Sequence, residues 1–274
     1  MANIGTQAAA EFRLGLLGAG RLGDAIAGTW LGRNRQALLV WSRSGSGPGD
    51  NGETRIAAGT WVAEWTRTLE ADSLVIAIPG RALLDLAGGN EQAAQFTGNV
   101  FSPAFSLSRT SLQRIFPRAT IVCISPFLID GLNSIPMLVL RPAQLPDSRW
   151  AKAKAELDTF GDLDVIDDEG SFAQLSLLGA SWPTVVLAAV EAAAGAGVQP
   201  LKDESATRIG RRIFFRAIQS FLATQTASPK PDLSDGITTP GGITERGLKS
   251  LGEMTPLFES AFKQMQARAE ELRA

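Results

Sequence analysis

Short apolar runs recur through the first half of the chain, with stretches of helical rhythm between several of them. The runs are Leu14–Leu17, "ALLVW" at 37–41, "SLVIAIP" at 73–79, "NVFSPAF" at 99–105, "TIVCIS" at 120–125 and "MLVLRP" at 137–142. Runs this short and this apolar suit strands buried on both faces. "RALLDLA" and "SRTSLQRIF", which lie between runs, carry helical spacing. Such alternation predicts a mostly parallel sheet covered by helices on both sides. After the second run "SGSGPGDNG" reads as a loop, so the helix expected there is short or missing.

From about Glu169 the character changes and helical patterns dominate. "SFAQLSLLGASWPTVVLAAVEAAAGAG" is helical on either side of a break at Ser181-Trp182-Pro183. "DESATRIGRRIFFRAIQSFLATQ" sets Ile209, Ile213, Ala217 and Phe221 on one face. "TPLFESAFKQMQARAEEL" opens at Thr255 with Pro256 in the first turn, and Phe258, Phe262, Met265, Ala269 and Leu272 form its apolar stripe. Such stripes are chiefly core, with part of them available as a dimer face. The expected organisation is a short mobile leader over 1–11, an α/β domain over 12–168 and an all-helical domain over 169–274.

The turn after the first run decides what the α/β domain binds. Gly18-Ala19-Gly20-Arg21-Leu22-Gly23 is a GxGxxG with a strand before it and a helix after it, the context of a Rossmann-type dinucleotide site. The first glycine permits the tight turn, the second lets a pyrophosphate approach, and the third allows close helix–strand packing. The phosphates are expected on the helix N-terminus, against the free N–H groups near Arg21 and Leu22. The second strand ends in Ser42, Arg43 and Ser44, with no acid to take the ribose hydroxyls of NAD. A guanidinium and two hydroxyls suit a 2′-phosphate, so the expected cofactor is NADP(H).

Composition removes many alternatives. The chain has 274 residues, net charge −2, one cysteine (Cys123), no histidine and no tyrosine. That excludes a Ser-His-Asp triad, a Cys-His dyad, a His-ligated metal and an intrachain disulfide. No metal site is expected, and the absence of a basic block gives nucleic-acid binding no support. "MANIGTQAAAEF" lacks the features of a signal peptide, and "TVVLAAVEAAAGAGV", interrupted by Glu191, is too short to span a bilayer. A soluble cytoplasmic protein without a membrane partner is the expectation.

The segment "LSDGITTPGGITERGLKSLGE" then narrows the function. With the glycine-rich turn and the helical second half, it resembles pyrroline-5-carboxylate reductase, whose C-terminal signature is a Thr/Ser-Ser/Thr-Pro-Gly-Gly-x-Thr loop leading into a helix. Thr238, Thr239, Pro240, Gly241, Gly242 and Thr244 match it, with Ile243 in the variable place. "FGDLDVIDDEGSFAQLSLLGASWPTVVLAAVEAAAGAGV" resembles the family's interdomain strand and long broken helix. Backbone N–H groups around Gly241 and Gly242, with the Thr238 and Thr239 hydroxyls, suit a substrate carboxylate. The resemblance implies that Thr244 hydrogen-bonds the imine nitrogen. It also implies that Ile78, Pro79 and Pro126 border the cofactor and that the C-terminal helices form a homodimer or higher homo-oligomer.

The chain departs from the family at three places. Ala77-Ile78-Pro79-Gly80 lacks the lysine and glutamine of Val-Lys-Pro-Gln, "CISPF" keeps Ser125-Pro126 without the asparagine, and Trp182 replaces a small residue. Trp182 either fills space near the substrate or packs in a core. The expected activity is NADPH-dependent reduction of a cyclic imine, pyrroline-5-carboxylate or a related imino acid. The alternatives are a reductase on the same scaffold with another substrate in specialised metabolism, a hydroxyacid dehydrogenase, and a non-catalytic NADP(H)-binding protein. No lysine stands in the long broken helix to serve a hydroxyacid dehydrogenase.

Overall fold

The apolar runs form the strands of one sheet. The computed structural model describes residues 13–33, 37–44, 59–103, 107–127, 135–199, 203–227 and 254–272. The leader, most of the loop after the second strand and the whole Thr-Pro-Gly-Gly segment lie outside the described residues. Two compact units divide the chain, one of Met1–Ala180 with Ala267–Ala274 and the other of Ser181–Gln266.

The first unit holds the sheet. In chain order its elements are β1 (Leu14–Leu17), α1 (Arg21–Arg33), β2 (Leu38–Trp41), β3 (Thr60–Trp61), a 3-10 turn (Trp65–Glu70) and β4 (Ser73–Ile76). Next come α2 (Gly80–Ala87), α3 (Glu91–Gln95), β5 (Asn99–Ser102), α4 (Arg109–Ile115) and β6 (Thr120–Pro126). The unit continues through β7 (Met137–Leu140), α5 (Asp147–Leu157), β8 (Leu163–Ile166) and α6 (Glu169–Ala180). The strand order is β3-β2-β1-β4-β5-β6-β7-β8, and every neighbouring pair is parallel except β6–β7. The expected mostly parallel, doubly covered sheet is what the chain forms, with β7 reversed inside it.

Side chains alternate between two cores. On one face Leu16, Val40, Val75, Phe101 and Val122 pack with Ile26 and Trp30 of α1 and Trp150 and Leu157 of α5. On the other, Leu17, Leu74, Val100 and Ile121 pack with Leu83 of α2 and Leu112 of α4. Each fully buried Leu, Val or Phe contributes roughly 1.5–3 kcal/mol. The Phe160 ring lies 5.4 Å from Trp30 and 6.5 Å from Phe101, which ties the chain after α5 to α1 and β5.

At the right-hand end of the sheet, α6 covers β6 and β7. Phe172 joins Cys123, Leu138 and Leu140 in a third cluster, so the single cysteine is a buried apolar residue. The first turn of α6 is capped by Asp168, whose Oδ2 accepts the Ser171 N–H at 2.6 Å. The Ser171 hydroxyl and that backbone N–H hold the Asp168 carboxyl below its ordinary range.

The second unit is helical among its described residues. It contains α7 (Trp182–Val198), α8 (Glu204–Ala227) and most of α9 (Met254–Glu271), whose last turn counts with the first unit. The expected break occurs where it was read: α6 ends at Ala180 and α7 begins at Trp182, with Pro183 in its first turn. Within this unit Glu191 of α7 pairs with Arg211 of α8. Among the described residues, Ile209 and Ile213 of the α8 stripe are exposed and not in the core expected for them. Together α6 and α7 make a stretch, Glu169–Val198, long and apolar enough by length and composition to cross a membrane. The shorter segment "TVVLAAVEAAAGAGV", expected to be too short to span a bilayer, is only the α7 part of this stretch.

Candidate dinucleotide site

Parallel register brings three separate segments to one edge of the sheet. Leu17 is paired with Trp41 of β2 and with Ile76 of β4, so Gly18, Ser42 and Ala77 leave the sheet side by side. Two backbone bonds fasten this edge: Gly18 N–H donates to the Trp41 carbonyl at 2.8 Å, and Ala77 N–H donates to the Leu17 carbonyl at 2.7 Å. The Gly18–Gly23 turn, the Ser42–Ser44 segment and Ile78-Pro79 are thereby gathered at the carboxyl ends of the strands. This is where ligands bind open parallel sheets.

The three glycines of the turn do different things. Gly18 has φ +106°, and a Cβ on it would lie 2.4 Å from the Ala77 carbonyl oxygen and 2.8 Å from Ile78 Cγ2. Only glycine adopts that conformation at little cost in so close a space. A Cβ on Gly23 would meet the Gly18 carbonyl oxygen at 2.0 Å, so the start of α1 lies tight on the turn. A Cβ on Gly20 would meet nothing within 4 Å. The middle glycine therefore faces open space at a helix N-terminus, the place a pyrophosphate takes. These residues fit a dinucleotide.

Ser42 is half-buried, whereas Arg43 and Ser44 are exposed at the end of β2. The Ser42 and Ser44 hydroxyls hydrogen-bond at 3.1 Å, which brings them together around the Arg43 backbone. Pro79 stands immediately before α2, and Ile78 packs against the core beneath it. Pro126 ends β6 on the same carboxyl edge of the sheet, beyond β4 and β5. Ala77, which the sequence marks only as part of a departure from the family pattern, shapes the turn. Its carbonyl sets the clearance at Gly18, and its own Cβ lies 3.6 Å from a Cβ placed on Gly23. The small residue directly after the β4 run was the signal for it.

Trp182 is placed by packing within the helical unit. Its indole meets Phe258 and Phe262 of α9 edge-to-face, with centroids 5.9 Å and 5.2 Å away. Each such pair adds about 0.5–1.5 kcal/mol beyond burial. Thr238, Thr239, Gly241, Gly242 and Thr244 lie outside the described residues.

Comparison with known proteins agrees with this architecture. Residues 169–272 match the family model described as pyrroline-5-carboxylate reductase dimerisation. No curated protein matches the chain by sequence. The fold resembles that of a pyrroline-5-carboxylate reductase from Coxiella burnetii, with TM-score 0.76 and 16% identity over 96% of this chain and 99% of that one. It also resembles a Plasmodium falciparum pyrroline carboxylate reductase with NADP bound, with TM-score 0.75 and 17% identity over 96% and 98% of the two chains. An imine reductase from Myxococcus stipitatus in complex with NADP+ gives TM-score 0.52 and 15% identity over 94% and 93%. The resemblance to the pyrroline-5-carboxylate reductase family read from the sequence is borne out, by the family match over the C-terminal helices and by the fold over nearly the whole chain.

Proposed function

We propose that the protein is an NADPH-dependent reductase of cyclic imines, acting on pyrroline-5-carboxylate or a related cyclic imino acid. The glycine cradle carries this reading: a positive-φ glycine, an open glycine and a helix start at the carboxyl edge of a parallel sheet. Beside it stand one guanidinium and two hydroxyls, with no carboxylate among residues 42–44. That set favours the 2′-phosphate of NADPH over the free ribose of NADH. A dinucleotide whose pyrophosphate lies in the cradle would supply hydride from its nicotinamide to the ring carbon of the C=N bond.

The protein's own part is to bind and orient. In this reading the Thr238 and Thr239 hydroxyls and the N–H groups around Gly241 and Gly242 hold the substrate carboxylate. Thr244 meets the imine nitrogen. An imine that arrives protonated needs no strong general acid, which suits a chain without His or Tyr. The match of residues 169–272 to a dimerisation domain supports C=N over C=O chemistry and a homodimer built through the C-terminal helices. A second copy gives the apolar surface of 169–198 a protein partner, consistent with a cytoplasmic enzyme.

The test is NADPH oxidation by purified protein with pyrroline-5-carboxylate, followed at the nicotinamide absorbance and repeated with Thr244→Ala. Turnover in the parent chain, with kcat in the variant down by about tenfold or more and NADPH affinity unchanged, supports the reading. NADPH binding without turnover on this or any larger cyclic imine favours a non-catalytic binding protein. Unchanged kinetics in Thr244→Ala remove that residue from the mechanism.

A further inference from the structure

The opposite edge of the sheet, at the amino ends of the parallel strands, holds a buried polar cluster that the proposed reaction does not use. Ser73 opens β4 and Asn99 opens β5, and the register places them side by side. Glu156, in the last turn of α5, lies between them and is only 1% exposed. Ser73 Oγ donates to Glu156 Oε2. Asn99 Nδ2 donates to Glu156 Oε1 at 3.0 Å and lies 3.3 Å from Ser73 Oγ. Both partners are neutral, and no ion pair among the described residues involves Glu156.

The charged groups that face this carboxyl are few. Lys152, one turn earlier on α5, favours its ionised form, while Asp72 just before β4 opposes it. The Asp72 carboxylate itself accepts the Arg13 backbone N–H at 2.8 Å. On β1 the register partner of Ser73 is Leu14, and on β6 that of Asn99 is Thr120, both uncharged. Burial outweighs the two hydrogen bonds and pushes the Glu156 carboxyl above its ordinary range.

We propose that Glu156 folds as a neutral carboxylic acid and that its ionisation loosens α5 from the sheet, making this crossover a pH-sensitive latch. An isolated carboxylate is costly to bury, whereas a neutral acid between a hydroxyl and an amide is satisfied. The Ser73–Glu156 contact works with the proton on either oxygen. Because the folded group holds its proton to higher pH than the unfolded one, the native state binds more protons between the two values. Stability is therefore full at the acid end of that window and falls as pH rises through the folded value. The helix α5 joins β7 to β8, and β8 leads directly into α6, so the latch governs the whole end of the sheet.

Hydrogen exchange of the full-length protein across an acid-to-alkaline series tests this, read at the amides of Trp150–Leu157 and corrected for the intrinsic rate. Protection in the wild type falls with rising pH, by about tenfold for each pH unit separating the folded from the unfolded titration. In Glu156→Gln, which keeps an acceptor for Asn99 and a polar partner for Ser73, protection stays flat. Parallel curves for the two proteins overturn the proposal. Infrared spectroscopy of the wild type gives a reading that needs no variant. A protonated-carboxyl C=O band that outlasts the ordinary carboxylate range and disappears with the midpoint of the exchange curve supports the latch, and its absence overturns it.

Discussion

Leu16 in β1 and Ile213 in α8 are aliphatic residues in opposite circumstances. Leu16 has no exposed surface, while Ile213 is 62% exposed. The contrast holds for the units around them. Both faces of the sheet in the first unit are closed by helices of the same chain. In the helical unit Leu187 of α7 is 55% exposed and Leu257 of α9 is 67% exposed. Exposed aliphatic side chains in such number mark a surface that meets a partner or a bilayer. The first unit is built to bind within itself, and the second is built to be completed from outside.

The largest effect that tests this contrast belongs to the glycine turn. Gly23→Ala puts a methyl 2.0 Å from the Gly18 carbonyl oxygen, a backbone atom that moves only if α1 shifts off the turn. The expected cost is on the order of 2–4 kcal/mol in chemical denaturation, together with loss of binding of the proposed cofactor, NADPH. Gly20→Ala is the paired control. Its methyl meets no protein atom within 4 Å, so stability changes by less than about 0.5 kcal/mol while NADPH affinity drops. Equal stability losses in the two variants would mean that the turn is not built around its ligand.

A smaller effect tests the helical unit. Ile213→Asp sets a charge on an already exposed position, so a single chain loses almost no contact. If a second copy covers this face, the dimer dissociation constant rises by on the order of a hundredfold. Sedimentation velocity over a concentration series reads it. A parent chain that is monomeric throughout would reverse the comparison and leave the exposed stripe without its proposed partner.

The sheet was legible in the sequence because each strand that builds its centre carries a short apolar core of two to four residues, with polar residues chiefly at its ends. The six expected strands all formed, and the break at Ser181–Pro183 fell where Pro183 fits a first helical turn. What escaped notice carried weaker signals. The two residues of β3 are too short to show a period. The buried stripe of α5, Trp150, Ala153 and Leu157, is masked by the lysines and acids of "AKAKAELD". Glu156 is hidden for the same reason: beside Lys152 and Lys154 it reads as part of a solvated face, and only the meeting of Ser73 with Asn99 shows otherwise. The glycine turn was readable because its three glycines have separate steric tasks that spacing alone encodes. The helical domain is expected from Glu169, while the compact units divide at Ala180 because α6 packs on β6 and β7.

The smallest effect expected is also the most selective. Arg43 is exposed at the end of β2 and has no ion-pair partner among the described residues, so it contributes little to the fold. Its value in the proposed site lies wholly in the phosphate it would meet. Arg43→Ala should therefore leave thermal unfolding of the free protein unchanged, weaken NADPH by about tenfold or more, and leave NADH nearly untouched. Fluorescence titration with both nucleotides gives the two constants on one sample. A loss shared equally by NADPH and NADH would place Arg43 on the common part of the dinucleotide. No loss for either would take Arg43 out of the proposed 2′-phosphate site and leave the Ser42 and Ser44 hydroxyls as its ligands among the described residues of this strand end. In each case the sheet stays intact, so the measurement separates what the first unit needs to fold from what it needs to bind.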